Sequence, residues 1–218
     1  MVRKIVSCQD SRAEVAREGC HCGAAAQYEQ ALRNGLIVLS DTESVPGLHA
    51  WLEREDAMAR MTRFKGRPQS QFIYLFADVD SMAYLADFVD VSPRAIERLL
   101  SLLKTPLTLV FPDHDDDNPG TVAVRVCEHP FLGPVLRHVY PVASTSANVP
   151  GAPPPESMRD VAAQAREVAD VEVRIPIPSA GVPSAVVDFS VRPVVVRRRG
   201  RLNEVELRST LKAAGLPT

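Results

Sequence analysis

The chain of 218 residues has few aromatic side chains, few cysteines and no strong excess of either charge. Aromatic residues make up 6% of it, which argues against the stacking platforms that bind single-stranded nucleic acid. A net charge of −2 gives no overall attraction to nucleic acid or to membranes. The sequence contains no run of about 18 apolar residues, and its first residues lack the apolar core of a signal peptide. We therefore expect a cytoplasmic protein without a membrane span.

The four cysteines do not show the spacing of a typical structural zinc site. Cys20 and Cys22 are separated by one residue, whereas paired zinc ligands usually have two or more residues between them. Cys8 is a potential third ligand, and a metal cluster with His21 is one interpretation of this segment. The other interpretation, which we favour, is reduced thiols without a metal, as is usual in a cytosolic chain. Cys127 lies in an apolar stretch and is predicted to be a small core residue.

Apolar residues amount to 45% of the chain, enough for a sizeable core. Strand-like and helix-like segments follow one another without strict alternation, which predicts an α/β (α+β) domain with a twisted mixed sheet and flanking helices. We predict an N-terminal extension at 1–23, with a short helix at 11–18, and one main domain at 24–218. The clearest helices are predicted at 24–33, 92–103 and 204–214, and the clearest strands at 36–39, 106–112 and 120–126.

A stretch of small hydroxyl residues, 142–148, ends in Asn148 at the exit of a predicted strand. Hydroxyl groups, the Asn148 amide and free backbone N–H groups can donate to phosphate or carboxylate oxygens. An ordinary strand exit rich in serine and threonine is the alternative. A second pattern is basic: Lys65 and Arg67 are two residues apart and would point the same way on an extended backbone. Together they suit a polyphosphate.

Two further features carry charge. Arg125 stands inside an otherwise apolar strand, and a buried arginine needs an anionic partner. That partner is either a structural carboxylate or a ligand, and we favour the ligand. The acidic turn at 113–118 is predicted to be a solvated hairpin loop, because it lacks the spaced carboxylates and the distal glutamate of a calcium loop.

The Lys65-x-Arg67 and Ser146-x-Asn148 pairs, in this order, resemble the YrdC/YciO family, which includes threonylcarbamoyl-adenylate synthases. Further matches are the segments 42–48, 120–126, 183–188 and 194–200. The resemblance implies an open, concave α/β fold with a positively charged cavity. The sequence departs from the family pattern at four positions, which are Asp41, Pro46, Lys104 and Ala185.

The resemblance implies roles for nine residues. Lys65 and Arg67 would be catalytic and would bind the phosphates of ATP. The other phosphate-binding residues would be Ser146, Asn148, Ser184 and Arg198. The threonine-binding residues would be Thr42, Ser44 and Arg125. No protein-bound metal is expected, and Mg²⁺ would enter with ATP.

The implied reaction joins L-threonine, bicarbonate and ATP into threonylcarbamoyl-AMP, which serves the N6-threonylcarbamoyl modification of adenosine in tRNA, with a tRNA-modifying complex as a partner. The alternative is a YciO-like paralogue, non-catalytic or with altered activity, that binds nucleotide or double-stranded RNA.

Overall fold

One mixed sheet of ten strands organises the chain, and the computed structural model describes residues 4–88, 91–113 and 120–217 of it. The strands lie in the order β1-β8-β2-β3-β7-β4-β6-β5-β9-β10. Their bounds are Lys4–Ser7 (β1), Val38–Ser40 (β2), Gly47–Trp51 (β3), Ile73–Phe76 (β4), Leu107–Pro112 (β5), Thr121–Val126 (β6), Val142–Ser146 (β7), Val171–Arg174 (β8), Ala185–Asp188 (β9) and Val195–Arg198 (β10). The pairs β1–β8, β8–β2, β4–β6 and β5–β9 are parallel and the other neighbouring pairs are antiparallel, so the sheet is mixed as predicted.

Helices cover both faces of this sheet. Their bounds are Arg12–Glu18 (α1), Ala24–Arg33 (α2), Glu55–Lys65 (α3), Val79–Met82 (α4), Pro93–Leu103 (α5), Leu132–Leu136 (α6), Ala163–Val168 (α7) and Glu204–Ala214 (α8). The described part of the chain holds no helix with the length and apolar character needed to span a bilayer.

Two hydrophobic clusters lie on the two faces of the sheet. Because successive side chains of a strand point to opposite faces, Leu39 belongs to the larger cluster and its neighbour Val38 to the smaller one. The same alternation separates Phe76 from Leu75. The smaller cluster includes Tyr28 from α2, and it is the one that the N-terminal extension joins.

The predicted fold class is confirmed, and α2 and α8 have the predicted bounds. The short helix α1 begins after Ser11, whose side chain forms the predicted capping box with Glu14. Three strands, β1, β3 and β9, were not predicted. β1 adds the extension to the sheet as a parallel partner of β8, and β3 follows a loop that was interpreted only as a family motif. Most of the predicted acidic turn, 114–118, lies outside the described residues.

One local prediction is wrong and concerns the basic pair. Lys65 is the last residue of α3, and Gly66 ends that helix in a left-handed conformation with φ of 61°. Lys65 and Arg67 therefore do not lie on an extended strand, and β4 begins only at Ile73. Another prediction was a helix at 81–89. It is wrong over 83–88, because the helix there, α4, begins at Val79 and already ends at Met82. The predicted end, Val89, is outside the described residues.

Candidate functional site

A cavity of about 260 Å³ opens at the strand ends near the middle of the sheet. It brings together segments that are far apart in sequence, from the loop before β3 to the end of β10. Seven of the nine predicted site residues line it, namely Thr42, Ser44, Arg67, Arg125, Ser146, Ser184 and Arg198. Lys65 and Asn148 are not among its lining residues.

Small side chains leave the space for this cavity. Ser144 and Ser146 lie on the same face of β7 as Val142, which packs in the smaller cluster. Ala123 of β6 and Thr108 of β5 line the neighbouring part of the sheet. Larger apolar residues at these positions would extend the core to the sheet's centre, so the hydroxyl-rich sequence of the strand creates a polar hollow instead.

Arg67 reaches the cavity from the turn after α3. Its Nη2 donates a hydrogen bond to Thr145 Oγ1 at 2.9 Å, and its guanidinium lies 5.6 Å from the centroid of the Phe72 ring. Its Nε is buried and has no hydrogen-bond partner among the described residues. Burial lowers the pKa of Arg67. An arginine with a buried unpaired N–H and no carboxylate partner is suited to an anionic ligand.

Lys65 is bonded to the exit of β7. Its Nζ donates to Ser146 O at 3.0 Å and to Asn148 O and Oδ1 at 2.9 and 3.1 Å. Burial and then the charge of Arg67 lower the pKa of Lys65 to about 8. The Asn148 Oδ1 also accepts a hydrogen bond from Ser146 Oγ at 2.6 Å. Lys65 and Asn148 therefore fix the end of β7, where Ser146 is the last residue of the strand.

Arg125 has the structural carboxylate partner that was one of its two interpretations, and its contact with a ligand, the favoured one, stays a prediction. Its Nε lies 3.3 Å from Glu43 Oε1, a structural ion pair in which the arginine side chain is only 4% exposed. Its Nη1 donates to Ser44 Oγ at 2.9 Å, and the residue lines the cavity. The pKa of Glu43 is lowered, since the charge of Arg125 and a hydrogen bond from Cys127 outweigh the effect of burial.

Arg198 closes the opposite side of the cavity. Its Nε donates to Ser184 O at 2.7 Å and its Nη2 to Ser184 Oγ at 3.1 Å. Desolvation and then the charge of Arg125 lower its pKa. The backbone after it is held close to the sheet, because a Cβ on Gly200 would lie 2.6 Å from Ala185 N. Of the three consecutive arginines, the other two pair with Asp188 and Glu204.

The loop after β2 is held by its own polar contacts. Asp41, a departure from the family pattern, accepts hydrogen bonds from Ser179 N and Oγ at 2.9 and 2.7 Å. Ser179 Oγ in turn accepts from Thr42 N at 3.1 Å. Thr42 Oγ1 donates to Val45 O at 2.8 Å. Asp41 therefore has a structural role, because its hydrogen bonds connect this loop to the segment that contains Ser179.

Sequence reasoning missed three residues that support the site. Thr145 positions Arg67, Thr108 shares a 2.8 Å hydrogen bond with Ser184, and Glu43 balances the charge of Arg125. Thr108 offered a signal, because it is a polar residue inside an apolar strand. Thr145 offered one as well, because it lies in the hydroxyl stretch 142–148. Glu43 offered no signal for its ion pair, because Arg125 is remote in sequence.

The cavity has an excess of positive charge. Three arginines line it, Lys65 lies behind it, and no lining residue in the described part of the chain is acidic. A magnesium ion would therefore find hydroxyl groups but no carboxylate on these walls, and the residues present do not form a protein site for it. Such an ion would instead be bound by the phosphates of a nucleotide.

Fold and cavity together define an open mixed α/β domain with a cationic pocket at the centre of its sheet. A sequence model of Sua5, YciO and YrdC proteins, described as telomere recombination, matches residues 30–200. The chain belongs to this Sua5/YciO/YrdC family, which confirms the predicted resemblance.

Named proteins that are similar to this chain support its membership of the family. The chain is 35% identical to the threonylcarbamoyl-AMP synthase of Vibrio cholerae over 149 residues, 63% of this chain and 78% of that protein. It is 33% identical to the synthase of Pseudomonas putida over 135 residues, 58% of this chain and 71% of that one.

Solved structures share the fold. Sua5 of P. abyssi, complexed with L-threonine, has a TM-score of 0.74 and 26% identity, and the match covers 97% of this chain and 61% of Sua5. This chain thus spans about three fifths of the Sua5 chain. YciO of E. coli has the same fold, with a TM-score of 0.71, 18% identity, and 94% of this chain and all of YciO covered.

Proposed function

We propose that the chain is a threonylcarbamoyl-AMP synthase that joins L-threonine, bicarbonate and ATP and serves tRNA modification. The observation that carries the proposal is the cavity lined by Arg67 and Arg198, neither of which has a carboxylate partner among the described residues. The similar synthases of the same family indicate which reaction to propose for this cavity. ATP and an amino acid both present anionic groups that such a cavity attracts.

The phosphates of ATP are assigned to the side of the cavity formed by Arg67, Arg198, Ser146 and Ser184. Arginine offers a planar set of donors that matches phosphate oxygens, and the serine hydroxyls add single hydrogen bonds. Lys65 acts there through the β7 exit that it holds rather than through direct contact.

L-Threonine is assigned to the side formed by Thr42, Ser44 and Arg125. The guanidinium of Arg125 is already oriented by Glu43 and by its hydrogen bond to Ser44, and both Arg125 and Ser44 line the cavity. Sua5, which shares this fold, has been crystallised with L-threonine. In the proposed reaction the threonine amine combines with bicarbonate to form a carbamate and water. A carbamate oxygen then attacks the α-phosphate of ATP, and pyrophosphate leaves.

This reaction depends on positioning and charge neutralisation more than on a strong base. Arg67 and Arg198 would offset negative charge that develops on the phosphates in the transition state. Magnesium would neutralise further phosphate charge when it enters with ATP. Neither a histidine nor a cysteine nucleophile is needed.

The test is pyrophosphate release in the presence of ATP, magnesium and bicarbonate, with and without L-threonine. We expect release that requires L-threonine, and a product whose mass equals that of threonylcarbamoyl-AMP. Release at the same rate without threonine would contradict the proposal. Nucleotide binding without any release would instead favour the paralogue with altered activity.

A second candidate, binding of nucleotide or double-stranded RNA without catalysis, is favoured by one observation. The loop that precedes β3 carries Pro46 where the family pattern has tyrosine, so the threonine side would lack that aromatic side chain. RNA binding would weaken steeply with added salt, because phosphate contacts dominate it, and would not respond to L-threonine.

A further inference from the structure

Three thiol groups contact one another in the N-terminal extension, and none of them lines the cavity. The Sγ atoms of Cys8 and Cys20 are 3.5 Å apart, those of Cys20 and Cys22 are 3.3 Å apart, and those of Cys22 and Cys8 are 3.3 Å apart. A carboxylate oxygen of Asp10 completes the group, and the four ligand atoms all lie within 4.8 Å of one another. We call these four residues the thiol cluster.

The fold assembles the thiol cluster from two separate segments. Cys8 directly follows β1, and its N–H donates to Arg174 O at 2.9 Å, which continues the pairing with β8. Cys20 and Cys22 lie in the loop between α1 and α2. Asp10 binds this loop, because its Oδ2 accepts hydrogen bonds from His21 N at 2.6 Å and Cys22 N at 3.0 Å.

Backbone N–H groups point at the sulfur atoms. Gln9 N donates to Cys22 Sγ at 3.2 Å. The first residues of α2, Ala24 and Ala25, donate to Cys22 and Cys20. Donors of this kind, together with the positive end of a helix of ten residues, stabilise negative charge on sulfur. A metal ion binds cysteine as the thiolate, so these donors would offset part of the negative charge that the sulfur atoms acquire on binding.

We propose that Cys8, Cys20, Cys22 and Asp10 bind one Zn²⁺ ion in a tetrahedral site. Zinc–sulfur bonds of about 2.3 Å place tetrahedral sulfur ligands about 3.8 Å apart, a few tenths of an ångström more than the observed separations. Each cysteine that enters the site releases its thiol proton to solvent, and the zinc ion keeps its charge of two.

A disulfide would not explain the same arrangement. Its sulfur atoms are about 2.05 Å apart and it joins only two of them, whereas here three sulfurs are nearly equidistant. The one-residue separation of Cys20 and Cys22 made reduced thiols the favoured prediction, with Cys8 as a potential third ligand. The structure brings the three sulfur atoms together, which favours the metal interpretation instead.

The site would stabilise a segment that has little core of its own. Between residues 4 and 23, the buried apolar side chains are Val6 and Val15. Zinc binding that requires both β1 and the loop before α2 would contribute its binding energy to the folding of this extension. This inference is independent of the proposed reaction, because the cavity shares no residue with the thiol cluster.

The test begins with the full-length wild-type protein. After reduction, chelation and removal of the chelator, it is titrated with Zn²⁺ and separately with Co²⁺. We expect one equivalent of metal per chain, a Co²⁺ spectrum with the visible bands of tetrahedral thiolate coordination, and a rise in the melting temperature with zinc. Absence of metal uptake by the reduced protein would overturn the proposal, and so would an octahedral Co²⁺ spectrum.

Variants then identify the ligands. Cys22→Ser should weaken zinc binding by more than about 100-fold, beyond what changes outside the ligand set usually cost. Cys127→Ala removes a thiol outside the cluster and should keep full stoichiometry. Equal zinc binding by Cys22→Ser and Cys127→Ala would overturn the site even if other variants fail to fold.

The fourth ligand is tested by a conservative change. Asn in place of Asp10 can still accept the two backbone hydrogen bonds but is a poorer zinc ligand. Asp10→Asn should lower the zinc affinity by about tenfold or more while His21→Ala leaves it unchanged. The reverse result would overturn the assignment of Asp10.

Discussion

The ammonium group of Lys65 donates hydrogen bonds to both the main-chain and the side-chain oxygen of Asn148, at 2.9 and 3.1 Å. A cation and an amide that were both predicted to bind a ligand are thus bound to each other. A third bond, to Ser146 O, extends the contact along the chain. The pair fixes the strand exit whose hydroxyl group faces the cavity, so its contribution to a reaction would be indirect.

Lys65→Met should reduce both stability and activity. The substitution keeps most of the apolar stem but removes the Lys65 donor from Ser146 O and Asn148 O, and leaves Asn148 Oδ1 with the bond from Ser146 Oγ. We expect the free energy of unfolding to fall by about 1–3 kcal/mol, the cost of leaving buried polar groups unpaired. Urea denaturation measures this, with Lys212→Met on the exposed side of α8 as the control. Equal stability of the two variants would contradict the role assigned to Lys65.

Arg67→Ala should weaken nucleotide binding without a comparable loss of stability. Within residues 4–88, 91–113 and 120–217, the buried Nε of Arg67 has no partner and the one hydrogen bond of its guanidinium goes to Thr145, so most of its capacity is free for a ligand. Loss of a charge-assisted contact of about 1.5–3 kcal/mol predicts roughly 10- to 100-fold weaker binding of ATP in calorimetric titration.

The matched control is Arg63→Ala, which removes an exposed arginine from the last turn of the same helix. Its ATP affinity should stay close to that of the wild type. If both variants lose affinity equally, the effect is general electrostatic attraction, and the direct contact of Arg67 is wrong.

The sequence predicted those parts of the fold that depend on local patterns. The capping box at Ser11 and Glu14 and the Asn34-Gly35 end of α2 are chemical signals within a few residues, and both are present in the structure. Strand β1 could not be predicted in this way. It is short and mostly exposed, and it exists because β8 offers a parallel edge.

The candidate site was predictable in composition but not in contacts. Spacing and order identified residues that line the cavity, because the hydroxyl and basic positions follow a family pattern. The two-residue spacing of Lys65 and Arg67 led to a wrong prediction of an extended backbone, because α3 includes Lys65 and Gly66 then turns the chain. The partner of Arg125, Glu43, is 82 residues away, a distance at which no local signal operates.

Gly200→Ala should be strongly destabilising. Gly200 has φ of 56°, and a Cβ there would lie 2.6 Å from Ala185 N and 2.9 Å from Pro183 O. Backbone atoms cannot move aside as a flexible side chain can, so the turn after β10 would shift and carry Arg198 away from Ser184. We expect a loss of more than about 2 kcal/mol of unfolding free energy, together with weaker ATP binding.

Gly215→Ala is the control for backbone strain alone. Gly215 also has a positive φ, 79°, but nothing lies within 4 Å of its added Cβ. Its cost should be about 1 kcal/mol, and ATP binding should be unchanged. A similar cost for both variants would show that the close approach at Gly200 does not matter.

His49 gives the fold a dependence on pH. The ring is fully buried beneath Gly47, where a Cβ would lie 2.8 Å from it. Burial, and then the charge of Arg125, lower the pKa of His49 to about 3. The folded protein therefore keeps His49 neutral at pH values where the unfolded chain, with a pKa near 6.5, binds a proton. Because protons then favour the unfolded state, stability is lost as the pH falls below about 6.5.

His49→Gln should remove this dependence. Between pH 7 and pH 5 we expect the unfolding free energy of the wild type to fall by about 2 kcal/mol more than that of the variant. The pKa of His129 is also lowered by burial, but this residue is present in both proteins and cancels in the comparison. The pKa values of Glu43 and Asp188 are lowered as well, so the stability they provide is lost only below the unfolded carboxyl range, under about pH 4.5. Urea denaturation at both pH values measures the difference. Parallel slopes for the two proteins would mean that His49 is protonated in the folded state, contrary to its burial.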